Sequence, residues 1–207
     1  MGALAVEVLL VALLGFLVGS VNPAAMLARA RGSDLRASGS GNPGATNAGR
    51  VLGRKWGVLV LVLDVLKAYL PTLVVLRSMG LLPALVTGFA VVLGHAFSPF
   101  LGGRGGKGVA CALGAILAVA PWVALGSVAV FGLAMTVVTY VGEASVVVTT
   151  ALVVLGALAG LGLVPWLEPA VGWWLVLLSL FVLSRHRRNI RAWLTRRGWA
   201  AGRADAP

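Results

Sequence analysis

Long runs of apolar residues cover most of the chain and are separated by short polar segments. A helix needs about 20 apolar residues to cross the hydrocarbon core of a membrane. Four runs meet that length: residues 4–28, 57–76, 81–101 and 146–164. Residues 170–184 form a shorter fifth run, and 108–140 is too long for one crossing but contains the helix-breaking Ala120-Pro121-Trp122. The pattern therefore predicts an all-α integral membrane protein with seven transmembrane helices.

Composition supports this class and excludes others. The chain is 59% hydrophobic with six acidic residues, an apolar excess that a soluble core does not need. The single cysteine, Cys111, excludes a disulfide framework and a Cys-rich zinc site. The two histidines and six acids never bunch along the chain, so we expect no metal and no cofactor. A formal charge of +11 could indicate nucleic acid, but the basic residues lie at the ends of apolar runs, which favours membrane lipid and no nucleic acid.

The positions of the basic residues also predict the orientation. Cytoplasmic segments of membrane proteins carry an excess of Lys and Arg. With seven spans, the N-terminus outside and the C-terminus cytoplasmic, fifteen of the seventeen basic residues fall in four inside segments: 29–55, 102–107, 141–145 and 185–207. We expect one membrane-embedded domain over residues 1–207, with 185–207 as a basic cytoplasmic tail.

Two glycine-rich segments carry the first candidate chemistry. The first glycine loop is Ser40-Gly41-Asn42-Pro43-Gly44-Ala45-Thr46-Asn47, and Arg50 follows it. Glycines without a Cβ let backbone N–H groups close around an anion. Gly44 to Asn47 could present a helix N-terminus to a phosphate, and Arg50, about one turn on, could bind it bidentately. The alternative is that Ser40, Asn42 and Asn47 only form turns.

The second glycine loop covers residues 102–108, Gly-Gly-Arg-Gly-Gly-Lys-Gly, and leads into a helix at Val109. It would combine the amides of Gly105 and Gly106 with the charge of Lys107 and a helix dipole. It is not a nucleotide-binding P-loop, because Gly108 stands where that motif has Ser or Thr. Arg104 is equally well explained as a membrane anchor or a ligand contact.

Polar residues near the last span form a third candidate group. On a continuing helix His186 and Asn189, three apart, would share one face, while Arg187, Arg188 and Arg191 suit an anchor on acidic lipid. Within an earlier span, Asp64 and Lys67 are also three apart. Pairing with each other or with a neighbouring helix is favoured for them over a proton relay.

Few side chains of the chain could act as a general base. A histidine followed five residues later by aspartate, the usual pair of acyl-CoA-dependent glycerolipid acyltransferases, does not occur: Phe100 follows His95 and Arg191 follows His186 at that spacing. Abundant phosphate-binding groups and few bases would suit a donor that contains an activated acyl group with a phosphate leaving group. We hypothesise that the substrate phosphate itself takes the proton.

At these residues the chain closely resembles the bacterial acyl-phosphate:glycerol-3-phosphate acyltransferase family. The matching stretches are Gly19-Ser20-Val21-Asn22-Pro23, Gly39 to Asn47, Gly94-His95, Gly105-Gly106-Lys107-Gly108-Val109-Ala110 and His186-Arg187-Arg188-Asn189-Ile190. The resemblance implies transfer of a fatty acyl group from acyl-phosphate to glycerol 3-phosphate, giving lysophosphatidate and phosphate. We therefore expect a monomeric enzyme of the bacterial inner membrane, with its active site on the cytoplasmic face, where the distribution of Arg and Lys places both glycine loops.

The expected site residues fall into two groups. Four would position substrate and stabilise charge: Arg50, Lys107, His186 and Asn189. Ten would contact substrate: Ser40, Gly44, Ala45, Thr46, Asn47, Gly105, Gly106, Gly108, Val109 and Ser145.

The chain departs from the family pattern at two places. The family usually has Tyr-Val-Ser-Leu where this chain has Tyr140-Val141-Gly142-Glu143, which leaves Ser145 as the polar contact of that segment. Glu143 would repel a phosphate unless an arginine offsets it. The family also often has an acid where Arg188 stands. The alternatives are a transporter or exchanger of phosphorylated solutes and a non-enzymatic scaffold, but polar loops on one side only favour an enzyme.

Overall fold

The computed structural model describes residues 2–196, and all regular secondary structure in that range is helical. Residues 197–207 of the predicted tail lie outside the described residues. The α-helices in the described range are α1 Gly2–Ser20, α2 Pro23–Ala30, α3 Ala45–Val51, α4 Arg54–Met79, α5 Leu81–Ala96, α6 Val109–Val119, α7 Pro121–Val137, α8 Val141–Gly160, α9 Pro169–Ser184 and α10 Arg187–Arg196. A 3₁₀ turn, Pro99–Leu101, follows α5.

The helices belong to two compact units, Met1–Leu125 and Gly126–Pro207. In the first unit α5 packs against α1, α4 and α6, and the short α3 packs on α4. In the second unit α8 packs against α9 and α10.

Several helices are long and apolar enough to cross a membrane. Four candidate spans are Leu4–Ala30, Arg54–Met79, Leu81–Leu101 and Val141–Gly160. A fifth is obtained when α9 and α10, which meet at a bend of 67°, count as one span. The helices α6 and α7 are apolar but shorter. They meet at Ala120, which confirms the predicted division of 108–140, whereas the total of seven crossings stays a prediction.

The distribution of side chains is that of a membrane protein. Large apolar residues face outward: Leu9 on α1 and Leu133 on α7 are each 70% exposed. Polar side chains such as those of Asn47, Asp64 and His186 are buried instead. An exposed apolar surface of this extent needs lipid around it, so the prediction of an integral membrane protein is confirmed.

The break between α1 and α2 occurs at Val21 and Asn22, just before Pro23. Pro23 opens α2, where the missing N–H is tolerated. Asn22 caps that helix, because its Oδ1 accepts from the Ala25 amide at 2.8 Å. Its Nδ2 donates to the Pro43 carbonyl at 3.0 Å. The break therefore ties the first span to the first glycine loop.

Glycines let neighbouring helices of the first unit approach closely. A Cβ on Gly19 of α1 would overlap the Val91 carbonyl of α5, and one on Gly94 of α5 would overlap the Phe16 carbonyl of α1. Small residues at such crossings replace the hydrophobic drive that lipid does not supply. The same packing fixes the position of α5, and the second glycine loop follows that helix after the 3₁₀ turn.

Two predicted boundaries are wrong. Residues 141–145 were expected as a loop but form the first turn of α8, where the Glu143 carboxylate lies near the positive end of the helix dipole. His186 was expected on a continuing helix, yet α9 ends at Ser184 and α10 begins at Arg187. The His186 ring nitrogen Nδ1 bonds the Val182 carbonyl at 2.8 Å, the group that the His186 amide would otherwise use.

Candidate active site

The first glycine loop is braced by Asn47, which is 1% exposed. Asn47 Nδ2 donates to the carbonyls of Leu35 at 3.0 Å and Ser38 at 2.9 Å, and Asn47 Oδ1 accepts from the Ser40 amide at 2.8 Å. Gly39 has a φ of +61°, and a Cβ there would overlap Asn47 Oδ1. The polar atoms of Asn47 therefore hold the loop in shape.

Three polar side chains of this region face outward: Ser40, Thr46 and Arg50 are exposed. Thr46 and Arg50 lie four apart on α3 and so share a helix face. Gly44, at the N-cap, is buried, and no side chain caps α3. Ala45, the first residue of α3, is half-buried. The groups open to a phosphate are thus Ser40, Thr46 and Arg50.

Asp34 precedes the first glycine loop in the chain and is an acid that could act as a base. Hydrogen bonds from the Arg36 side chain, and then from its backbone, hold the pKa of the Asp34 carboxyl below its usual value. The two side chains also form an ion pair at 3.3 Å. A carboxylate with a lowered pKa is a weaker proton acceptor, so Asp34 is poorly suited to general-base chemistry.

The second glycine loop is bonded to the end of α5. The Gly105 amide donates to the Ala96 carbonyl at 3.0 Å, and the Gly106 amide donates to the His95 carbonyl at 3.1 Å. These amides satisfy carbonyls that the end of a helix leaves unpaired. Both positions also need glycine for packing. A Cβ at Gly105 would overlap the His95 carbonyl, and one at Gly106 would overlap the His95 ring.

Of the two positive charges in the second loop, that of Lys107 lies at the start of α6. Gly108 has a φ of +90° and caps the helix without a side-chain bond. Val109 opens the helix, and Lys107, just before the cap, is half-buried. A lysine beside a helix N-terminus that no side chain caps is an arrangement that favours an anion.

Lys67 is the centre of a buried polar network, of which the sequence predicted only the pairing with Asp64. Lys67 Nζ lies 2.8 Å from Asp64 Oδ1, which confirms the predicted pairing. It also lies 3.0 Å from His95 Nδ1 and donates to the Val21 carbonyl at 2.7 Å. An ammonium group only donates, so His95 Nδ1 accepts and the ring proton is on Nε2, toward Gly106. Sequence reasoning missed the role of His95, because its partner is 28 positions away.

The histidines and acids are dispersed along the chain, but the expectation that they form no cluster in space is wrong for this network. Asp64, His95 and Cys111 are all buried, and their ligand atoms lie within 4.8 Å of one another. Lys67 Nζ already contacts two of the three residues. The cluster therefore has its own cation, and we read it as an ion-pair network that joins α4, α5 and the break after α1.

The second unit contains the remaining predicted site residues. His186 is 1% exposed, and its Nδ1 must carry a proton because the Val182 carbonyl can only accept. Its Nε2 is therefore the nitrogen that gains a proton when the ring becomes charged. Ser145 is 4% exposed, and its hydroxyl donates to the Val141 carbonyl at 2.8 Å, so it bonds within α8.

Gly142 and Glu143, the first place where the chain departs from the family pattern, both contact α10. A Cβ on Gly142 would overlap Asn189 Nδ2, so the Asn189 side chain occupies the space that a larger residue would fill. Glu143 is buried and forms an ion pair with Arg196. The acid that would repel phosphate is thus offset by an arginine.

The geometry groups the predicted residues by unit. Ser40, Thr46, Asn47, Arg50 and Lys107 belong to the first unit, whereas Ser145, His186 and Asn189 belong to the second. Within the second unit, His186 and Asn189 stand at the start of α10, because the Ile190 amide donates to the His186 carbonyl at 2.9 Å.

Comparison with known proteins identifies the class. Residues 9–196 match the family model described as glycerol-3-phosphate acyltransferase. The glycerol-3-phosphate acyltransferase of Aquifex aeolicus is 39% identical over 193 residues, which cover 92% of this chain and 97% of the relative. That of Geobacter sulfurreducens is 40% identical over 192 residues, covering 88% and 92%. The chain therefore belongs to the glycerol-3-phosphate acyltransferase family, and it is a membrane acyltransferase.

Solved structures agree with this assignment. The chain matches the crystal structure of PlsY (YgiH), an integral membrane glycerol 3-phosphate acyltransferase, in its glycerol 3-phosphate form, with a TM-score of 0.84 and 39% identity over 92% of this chain and 94% of that one. The lysophosphatidic acid form of PlsY matches with a TM-score of 0.82 and 38% identity, over 92% and 93%.

Proposed function

We propose that this acyltransferase takes its acyl group from acyl-phosphate and releases 1-acyl-glycerol 3-phosphate and phosphate. It acts as a monomer in the bacterial inner membrane, with seven spans, the N-terminus outside and the active site on the cytoplasmic face. The PlsY structures named for glycerol 3-phosphate and lysophosphatidic acid support the acceptor and product.

The position of Lys107 is the observation that carries the choice of donor. The helix that follows it, α6, has 11 residues and is roughly 16 Å long at 1.5 Å per residue. That is about half of the hydrocarbon thickness. With the Ala120 end of α6 at the outer surface, Lys107 would lie below the cytoplasmic surface. A phosphate attached to a fatty acyl chain in the lipid can reach this depth, which supports acyl-phosphate as the donor.

Three of the five acids in the described range already have cationic partners, which supports the phosphate as the proton acceptor. Asp34 is paired with Arg36, Asp64 with Lys67 and Glu143 with Arg196. In the proposed step, a glycerol 3-phosphate hydroxyl oxygen attacks the acyl carbonyl carbon and forms the ester bond. The bond from that carbon to the phosphate oxygen breaks, and the phosphate leaves with the electron pair and takes the hydroxyl proton.

The residues act by binding and charge stabilisation. Arg50 and Lys107 neutralise phosphate charge, with Ser40 and Thr46 as hydroxyl contacts of the first loop. His186 and Asn189 bind the acceptor. Positioning and fixed charge of this kind account for large rate accelerations without a protein base.

The test is a comparison of donors. Purified protein is incubated with labelled glycerol 3-phosphate and either acyl-phosphate or acyl-CoA of the same chain length, and lysophosphatidate is measured. Acyl-phosphate should support turnover and acyl-CoA should not. Lys107→Ala should lose most activity, whereas Arg77→Ala, which removes a positive charge near the end of α4, should retain it. Equal turnover with acyl-CoA as the sole donor would refute the proposed donor.

A further inference from the structure

Glu143 is a buried acid in the first turn of α8, and a buried charge needs a partner. Its side chain is 5% exposed, and it contacts Arg196 at the end of the described part of α10. A buried carboxylate is tolerated when a cation pairs with it, and removal of the cation alone is strongly destabilising. The Arg196 guanidinium also lies over the Tyr140 ring, 4.5 Å from its centroid. Two neighbouring side chains at the start of α8 thus hold one arginine of α10.

The same segment of α8 contacts α10 a second time. Gly142, between Tyr140 and Glu143, lies against Asn189 Nδ2. Asn189 and Arg196 are seven positions apart on α10, about two turns, and therefore point to the same side of the helix. One face of α10 is held on the start of α8 at both ends.

This double contact bears on the direction of α10. The turn at Arg185–His186 bends the chain by 67°, and none of the described residues of α10 is fully buried. A ten-residue helix is marginal by itself, so its direction depends on side-chain contacts with α8.

We propose that Glu143, Tyr140 and Arg196 are positioning residues that hold α10 on α8 and thereby set the place of Asn189 and His186. The inference rests on the proposed role of Asn189 and His186 in binding glycerol 3-phosphate. It explains why this chain tolerates Glu143 where the family usually has leucine: the acid is the anchor of Arg196, and the arginine cancels its charge.

The first test removes one partner at a time. Arg196→Gln and Glu143→Gln should each raise KM for glycerol 3-phosphate by roughly threefold to tenfold, as expected for loss of a contact between coupled residues. KM for acyl-phosphate and kcat should change little. The matched control is Arg191→Gln, which removes the same charge from an exposed position of α10 and should leave both KM values unchanged. Identical kinetics for Arg196→Gln and Arg191→Gln would overturn the proposal.

The second test separates positioning from a general loss of structure. The double variant Glu143→Arg with Arg196→Glu restores a pair of opposite charges. Its KM for glycerol 3-phosphate should therefore be lower than that of either single charge reversal. Asn189→Ala should raise KM in the parent protein but add little in the Arg196→Gln variant, because Asn189 is then already displaced. Fully additive effects of Asn189→Ala and Arg196→Gln would contradict positioning.

A third measurement keeps the inference apart from the proposed function. A double-mutant cycle of Glu143→Gln and Arg196→Gln on the thermal unfolding midpoint needs no substrate, and a coupling between the two changes is expected. Additive midpoints would refute the contact itself. Coupled midpoints with an unchanged KM in Asn189→Ala would instead refute the proposed role of Asn189.

Discussion

Gly106 shows how one missing methyl group can matter at the residue scale. Its backbone lies against the His95 ring, and that ring is held by Lys67 Nζ at 3.0 Å. Gly106→Ala would push a Cβ into His95 Nε2 and displace either the ring or the loop. Overpacking of this kind costs about 1–3 kcal/mol, so we expect a lower thermal midpoint and a loss of most activity.

The matched control for Gly106→Ala is Gly132→Ala, since an added Cβ on α7 meets nothing within 4 Å. That variant should have normal activity and an equal or higher midpoint, because alanine favours a helix over glycine. In a Gly106→Ala and His95→Ala double variant, the penalty of the alanine at 106 should shrink. An undiminished penalty there would show that the ring is not what the Cβ meets.

His186 is the other residue whose role a kinetic measurement can decide. Its Nδ1 is bonded to the Val182 carbonyl, so only Nε2 can exchange a proton during the reaction. If a substrate phosphate is the base, His186→Gln should raise KM for glycerol 3-phosphate and leave measurable turnover. A collapse of kcat at saturating acceptor, with KM unchanged, would instead assign the base role to His186.

At the scale of elements, the crossing of α1 and α5 depends on backbone contact. A Cβ on Gly19 would overlap the Val91 carbonyl, whereas one on Gly15 would lie 3.0 Å from the Thr87 carbonyl. We therefore expect a graded series in thermal unfolding in detergent: Gly19→Ala destabilises strongly, by about 1–3 kcal/mol, and Gly15→Ala does so less. The reverse order, or no loss in either variant, would contradict the close backbone contact at Gly19.

Some boundaries of the elements are predictable from sequence, and the reasons are local. Asn22-Pro23 and Ala120-Pro121 mark breaks because proline lacks the amide that a helix interior needs. The end of α9 is different, since it depends on the His186 ring taking a carbonyl of the preceding turn. No apolar pattern reports a side-chain bond of that kind. The helical start of α8 was missed because polar residues there suggested a loop.

At the scale of the whole molecule, the orientation is still a prediction, and labelling of single cysteines can measure it. In a Cys111→Ala background, Leu163→Cys and Arg104→Cys each give one exposed thiol. A membrane-impermeant maleimide should label position 163 in intact cells and position 104 only after permeabilisation. The opposite pattern would place the second glycine loop outside and contradict the cytoplasmic active site.

The chemistry of the whole chain was more predictable than its internal network. Each glycine loop is one continuous stretch of sequence, and His186 and Asn189 are three positions apart. Local motifs of this kind can be compared with a family pattern without a structure. The network of Asp64, Lys67 and His95 joins residues of different spans, and the Lys67 contact with the Val21 carbonyl covers 46 positions. Contacts of that range are set by helix packing, which a single sequence does not display.

The bracing of both loops has a consequence for how ligands bind. The Asn47 side chain and the amides of Gly105 and Gly106 hold their segments through bonds within the protein. These backbones lose their conformational freedom when the chain folds, so an arriving anion does not have to order them. Binding at either loop should need no closing motion. The free energy that the ordering of a mobile loop would cost is therefore not subtracted from the affinity for a ligand as small as phosphate.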